Sequence, residues 1–257
     1  MNGAASSRKQ DPPDPGGGVE ADARNGGWPW YLAVVMGVGI VVVSIAAAEL
    51  GRQALVASGV PEIPWGVLGA VAMSQVAGAS AVWLAAGWRG ESRTNALLLS
   101  APLQGPRAYI KAFLVLAVAA SIAGAVTWFL WPDAVAGDLA AFAGLIRSEA
   151  WWLALLVIAV GAPLMEELLF RGFLLPALAR SGIGFAGAAV VTSAAWAVMH
   201  AGYSMAGLAE VFLIGLYFSW LIKKTGSLRV PLFCHAIYNL SVILLLLVVD
   251  IPVVTPR

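Results

Sequence analysis

The sequence is dominated by apolar runs of about 20 residues, separated by short polar links. A helix of this length crosses the hydrocarbon core of a bilayer. The sustained alternation of polar and apolar residues over about ten positions, which is typical of strands in a membrane barrel, is not present. Hydrophobic residues make up 60% of the 257 residues and charged residues only 11%. We therefore predict an all-α, polytopic transmembrane helical bundle of about seven spans, near Trp30–Leu50, Trp65–Ala86, Ile110–Trp131, Trp151–Leu175, Phe185–His200, Leu208–Ile222 and Val230–Val249.

Basic residues are distributed unevenly between the two ends of these spans. Most of the 15 Lys and Arg residues fall in the N-terminal tail and in the second, fourth and sixth links. The positive-inside rule then places the N-terminus in the cytoplasm, which predicts an integral protein of the plasma (inner) membrane. The net charge of +1 argues against a nucleic acid as a partner, and the membrane itself is the first partner predicted.

The chain divides by composition into a tail and two groups of helices. Residues 1–27 are polar and rich in Gly, Pro and Asp, so we predict a disordered cytoplasmic tail rather than a secretory signal. Residues 28–149 form N-terminal scaffold helices with few buried polar groups. Within them, the segment 132–149 is predicted to be an interfacial or re-entrant helix. Residues 150–250 are predicted to form the helical core that carries the chemistry, because the ionisable residues inside spans are concentrated there.

Two histidines and an acidic pair lie within the apolar runs of this core. They are the only two histidines, His200 and His235, and the adjacent pair Glu166 and Glu167. A charged side chain at the centre of a membrane helix costs roughly 2.5–3.5 kcal/mol even on lenient scales. The chain has few charged residues, so ionisable side chains that lie at similar depth in several spans indicate a buried polar site.

The fourth span shows how the two carboxylates differ. Pro163 precedes Glu166 by three residues and predicts a kink or a local widening of the helix. Glu167 and Arg171 are i,i+4 neighbours in the favourable order, which predicts a local ion pair. Glu166 lies about 100° further around the helix and has no cation at i+3 or i+4. We therefore expect a free carboxylate there, suited to general acid or base chemistry.

Depth along the spans suggests that these groups converge. Glu166 and His200 both lie roughly 21–24 Å from the turn between the fourth and fifth spans. His235 and Asn239 share one helix face and are expected to lie somewhat shallower. A Glu and a His that meet at a water suit hydrolysis, with Glu166 taking the proton and His200 positioning the water. His235 and Asn239 are then placed to donate hydrogen bonds to the oxyanion of a tetrahedral intermediate.

Three motifs in this order resemble a known family. Glu-Glu-x-x-x-Arg at 166–171, aromatic-x-x-x-His at 196–200 and His-x-x-x-Asn at 235–239 resemble the CAAX prenyl protease and bacteriocin-processing (CPBP, Abi) family of intramembrane proteases. The resemblance covers about residues 150–245. It implies an intramembrane endopeptidase that acts on a protein or peptide substrate, cleaving near the cytoplasmic leaflet. Carried over, the catalytic residues are Glu166, His200, His235 and Asn239, supported by Glu167 and Arg171.

One residue departs from the family pattern. Position 196 is Trp where the usual aromatic is Phe. At the level of sequence, this difference is expected to alter the size of the pocket but not the chemistry.

Metal dependence and two other functions stay open on sequence grounds. Glu166, His200 and His235 are the residues that would bind zinc if the reaction needed it, although the Asn at i+4 from His235 favours a metal-free site. The same buried carboxylates would also suit a proton-coupled membrane transporter. A non-catalytic relative that acts as an immunity or scaffold protein is the third possibility.

Overall fold

A computed structural model describes residues 27–249. The predicted disordered tail therefore lies outside the described residues, apart from Gly27, and so does residue 250 at the end of the predicted core. The described residues contain helices and no strand, which confirms the all-α prediction. The helices are α1 Trp30–Ala57, α2 Glu62–Gly87, α3 Arg107–Leu130, α4 Pro132–Ile146, α5 Trp151–Ala179, α6 Gly184–Val198, α7 Met205–Thr225 and α8 Arg229–Val248, with one short helical turn at Arg93–Ala96.

Six of these helices are long and apolar enough to cross a membrane, namely α1, α2, α3, α5, α7 and α8. The seventh predicted span corresponds to α6, which is apolar but has only 15 residues. The predicted span also extended to His200, whereas α6 ends at Val198 and His200 lies in the following turn. The segment predicted to be interfacial or re-entrant contains α4.

The links between helices lie at two ends of the bundle, where they contact one another. At one end, Arg180 donates to the Trp28 carbonyl at 2.9 Å, and the Leu228 amide donates to the Leu98 carbonyl at 2.8 Å. At the other end, Trp65 donates to Glu149 at 3.0 Å. This grouping matches the alternation predicted from the basic residues. The end that faces the cytoplasm stays a prediction.

Helix α5 lies at the centre of the bundle. Half of its most apolar window is buried, against 6% for α3. It approaches α1 and α2 closely at Gly78, where an added Cβ would lie 2.7 Å from the Met165 side chain and 2.6 Å from Ser44 Oγ. Small residues permit such close approach of membrane helices. The position of α5 therefore surrounds its acidic pair with the rest of the bundle.

The geometry of α5 changes where Pro163 predicts a kink or a widening. A regular segment, Ala162–Glu166, is flanked by the π-helical segments Val157–Gly161 and Glu167–Leu174. Such wide turns free backbone carbonyls from their usual partners and are frequent at functional sites. The widening is therefore confirmed, and Glu166 is the last residue before the second wide segment.

Two amide side chains from other helices hydrogen-bond to the first wide segment. Gln75 on α2 donates to the Val157 carbonyl at 3.1 Å, and Asn239 on α8 donates to the Ile158 carbonyl at 2.8 Å. An unsatisfied carbonyl in an apolar interior would be costly. The amides of α2 and α8 therefore stabilise the shape of α5 just before its acidic pair.

Candidate active site

Glu166 does not have the free carboxylate expected from the sequence. Its Oε2 accepts a hydrogen bond of 2.6 Å from Nε1 of Trp196 on α6. The prediction was wrong because the i+3 and i+4 positions describe neighbours on the same helix only. The Glu166 side chain retains 16% of its exposure. Among residues 27–249, no donor contacts its other oxygen, Oε1, which therefore stays available to a water or a substrate.

Glu167 forms the predicted ion pair with Arg171 and has a second partner. Its Oε1 lies 3.2 Å from Arg171 Nη1 and 3.0 Å from His235 Nδ1, and the side chains of Glu167 and Arg171 are fully buried. A hydrogen bond to a carboxylate requires a proton on Nδ1 of His235. The pair thus orients the imidazole and turns its other nitrogen, Nε2, toward Glu166.

The Arg171 guanidinium lies among aromatic rings. Its central carbon is 4.2 Å from the Trp196 ring centroid, 5.6 Å from that of Phe218 and 5.9 Å from that of Phe170. Cation–π attraction at such distances is strongest where water is excluded. The Arg171 guanidinium is therefore surrounded by one carboxylate and three rings, while its Nε and Nη2 have no hydrogen-bond partner among the described residues.

His235 lies at the level of Glu166, not shallower as the sequence suggested. Its Nε2 is 4.0 Å from Glu166 Oε2. The two residues before α8, Ser227 and Leu228, are fully buried. Ser227 Oγ donates to the Ser100 carbonyl at 2.6 Å, so the link before α3 packs against the start of α8. The approach of His235 to Glu166 depends on how α8 packs against α5, which residue numbers along a single span do not give.

His200 lies beside the same group through Trp196. Its Nδ1 is 3.0 Å from the Trp196 carbonyl, and the two rings meet edge to face with centroids 5.4 Å apart. This contact places the proton on Nδ1 and leaves Nε2 as an acceptor. Within the described part of the chain, no hydrogen bond joins His200 directly to Glu166.

Asn239 contacts α5 rather than the two carboxylates. One N–H of its amide is engaged with the Ile158 carbonyl at 2.8 Å. The sequence placed Asn239 one turn from His235 on the same face, and both side chains do point toward α5. A role as donor to an oxyanion would use the second N–H of the amide.

The turn that carries His200 includes a residue that the sequence analysis missed. The Tyr203 ring lies 5.3 Å from that of His200. Burial raises the pKa of Tyr203 to about 12, and the carboxylates of Glu166, Asp138 and Glu210 add to the effect. Its phenol therefore stays protonated at neutral pH, and α4 holds this turn through two hydrogen bonds from Ser204 to Asp138, at 2.6 and 2.7 Å.

The sequence carried a signal for only some of the missed contacts. Gln75 is the only amide inside the first three predicted spans, so its polarity was visible although its partner on α5 was not. A buried Trp usually finds an acceptor for its N–H, so the departure at position 196 also carried a signal. The turn around Tyr203 offered none, because its place depends on α4.

Glu166, His200 and His235 are the residues that the sequence proposes for zinc. Between residues 27 and 249, no group of three His, Cys, Asp or Glu side chains is placed to hold a metal ion. The rings of His200 and His235 each pack against the Trp196 ring, with centroid distances of 5.4 Å and steeply inclined ring planes.

Comparison with protein families agrees with the motif analysis. Residues 148–241, a little over a third of the chain, match the family model described as Rce1-like, Type II CAAX prenyl endopeptidase Rce1-like. The resemblance inferred from the three motifs is thereby confirmed over this segment, which contains all six predicted site residues. No curated protein and no solved structure gives a significant match. The helical bundle and this segment together support a protease embedded in a membrane.

The buried ion pair gives a stability prediction. Arg171→Met leaves the Glu167 carboxylate buried without its cation and is expected to lower the free energy of unfolding by about 3–5 kcal/mol. The double variant Glu167→Gln/Arg171→Met removes both charges and should recover part of this loss. The measurement is thermal unfolding of the purified protein in detergent. Arg52→Met, at the exposed pair with Glu49, is the control, and an Arg171→Met effect no larger than the control's would contradict the prediction.

Proposed function

We propose that this protein is an intramembrane endopeptidase that hydrolyses a peptide bond of a protein or peptide substrate near the cytoplasmic leaflet. The observation that carries the proposal is the approach of Glu166 Oε2 and His235 Nε2 to 4.0 Å inside the bundle, with His200 on the same Trp196 ring. The family match over residues 148–241 supports the reaction class. The basic residues at the Trp28 end of the bundle support the cytoplasmic location.

In the proposed reaction, Glu166 acts as the general base. A water positioned by the acceptor nitrogen of His200 gives a proton to Oε1 of Glu166, and the resulting hydroxide attacks the scissile carbonyl carbon. The carbonyl oxygen becomes an oxyanion. When the intermediate collapses, Glu166 returns the proton to the departing amine, so its charge is restored. These reaction steps need one free carboxylate oxygen, and Oε1 of Glu166 has no hydrogen-bond donor among the described residues.

Stabilisation of the oxyanion is assigned to His235 and Asn239. For His235 to donate from Nε2, its ring must carry protons on both nitrogens, and Nδ1 is already held by Glu167. Asn239 would contribute the N–H that is not bound to Ile158. Donors of this kind are worth roughly 10²–10³-fold in kcat in enzymes that use them.

The proposal can be tested without knowing the substrate. Membranes from cells that express the wild-type protein are compared with membranes that contain Glu166→Gln or His200→Ala, by mass spectrometry of protein N-termini. We expect new termini within membrane-associated proteins in the wild type, and their absence in Glu166→Gln and in His200→Ala. Glu49→Gln, at an exposed carboxylate, is the matched control and should retain the wild-type pattern. Identical termini in all four samples would refute the endopeptidase.

The metal-free scheme makes a separate prediction. Cleavage of the strongest substrate peptide from that comparison, by purified protein in proteoliposomes, is expected to persist after dialysis against a zinc chelator. Elemental analysis of the same sample should find less than about 0.1 zinc per chain, since no described group of three ligands is placed to hold one. Loss of activity with the chelator, restored by added zinc, would overturn the metal-free scheme and leave the protease assignment standing.

Asn239 and Gln75 provide a matched comparison for the oxyanion role. Both amides donate to consecutive carbonyls of the same wide segment of α5. Asn239→Leu and Gln75→Leu should therefore cost similar stability, about 1 kcal/mol each. If Asn239 also stabilises the oxyanion, kcat should fall about 10²-fold in Asn239→Leu but much less in Gln75→Leu. Equal losses of kcat would limit Asn239 to its structural contact.

A further inference from the structure

Trp196 contacts four ionisable groups of the candidate site, namely Glu166, Arg171, His200 and His235. Its N–H donates to Glu166 at 2.6 Å, and its ring covers the Arg171 guanidinium at 4.2 Å. Its ring packs against those of His200 and His235, and its backbone carbonyl accepts from His200. The residue is 3% exposed. A side chain with this set of partners determines the relative positions of groups from three other parts of the chain.

The indole N–H also keeps the Glu166 carboxylate apart from the His235 imidazole. Glu166 Oε2 and His235 Nε2 are 4.0 Å apart, beyond the 2.7–3.2 Å of a direct hydrogen bond. The bond from Trp196 holds Oε2 in this position. Without that bond, a small rotation of the carboxylate would bring it against His235, so that both groups would be occupied with each other. Phe, the usual residue here, has no donor to prevent this.

The contacts around Trp196 also restrict its own motion. Arg171 lies on the ring face and is held by Glu167, which in turn binds His235. Trp196 therefore completes a closed set of contacts that runs from Glu166 through the indole, Arg171 and Glu167 to His235. Because these contacts hold the indole N–H in place, it orients Glu166 before substrate binds, and little conformational entropy is lost on binding.

We propose that Trp196 is a positioning residue for the hydrolysis, which orients Glu166 through its indole N–H. The proposal rests on the function proposed above. It replaces the expectation that Trp in place of Phe changes only the size of the pocket, because the indole binds the predicted base directly. The N–H, rather than the bulk of the ring, is the feature required.

Trp196→Phe tests this requirement, because it keeps an aromatic ring and removes the donor. With the peptide identified from the N-terminal comparison, in proteoliposomes, we expect kcat to fall about 10- to 100-fold, as for loss of a hydrogen bond to a charged group. KM should change less than about threefold, since substrate binding does not use this bond. Trp220→Phe, at an exposed ring on α7 that stacks on Tyr217, is the control and should keep the wild-type kcat.

Three outcomes are distinguishable. A wild-type kcat in Trp196→Phe would overturn the positioning role while the endopeptidase stands. No cleavage by the wild-type protein would refute the function itself. Should Trp196→Phe unfold, benzothienylalanine incorporated at position 196 replaces only the N–H by sulfur and keeps the shape of the indole. A normal kcat in that protein would equally overturn the proposal, and a reduced kcat with an unchanged unfolding midpoint would support it.

Discussion

The arrangement of the candidate site depends on how one buried carboxylate is neutralised. Glu167 is fully buried, and its Oε1 contacts both Arg171 and His235. A lone charge in an apolar interior is expensive, whereas a charge with two polar partners is tolerated. Because the partners come from α5 and α8, neutralising this charge also fixes the position of α8 against α5. The orientation of the His235 ring then follows from the same contact.

A second constraint is the wide geometry of α5. A regular helix would satisfy its carbonyls internally, but the segment Val157–Gly161 instead depends on Gln75 and Asn239. The scaffold helix α2 therefore contributes directly to the shape of the helix that carries Glu166. The backbone of the predicted site thus depends on one helix from each of the two predicted groups.

The sequence predicted what depends on composition and on spacing within one helix. The long apolar runs predicted the helical bundle, and the spacing of Glu167 and Arg171 predicted their ion pair. It failed where the answer depends on a partner from another helix. The bond of Glu166 to Trp196 and the depth of His235 are of this kind, because both depend on how α6 and α8 pack. The short α6 also shows that an apolar composition alone does not determine where a helix ends.

Hydrogen bonds at the start of α8 connect this helix to the loop at residues 98–100. Three consecutive carbonyls, Leu98 to Ser100, accept hydrogen bonds from Leu228, Arg229 and Ser227. Only six residues of continuous helix separate Arg229 from His235, a distance of about 9 Å. A rigid helix transmits displacement of one end to the other. A ligand that pulled on this loop would therefore move an imidazole inside the bundle, without touching it.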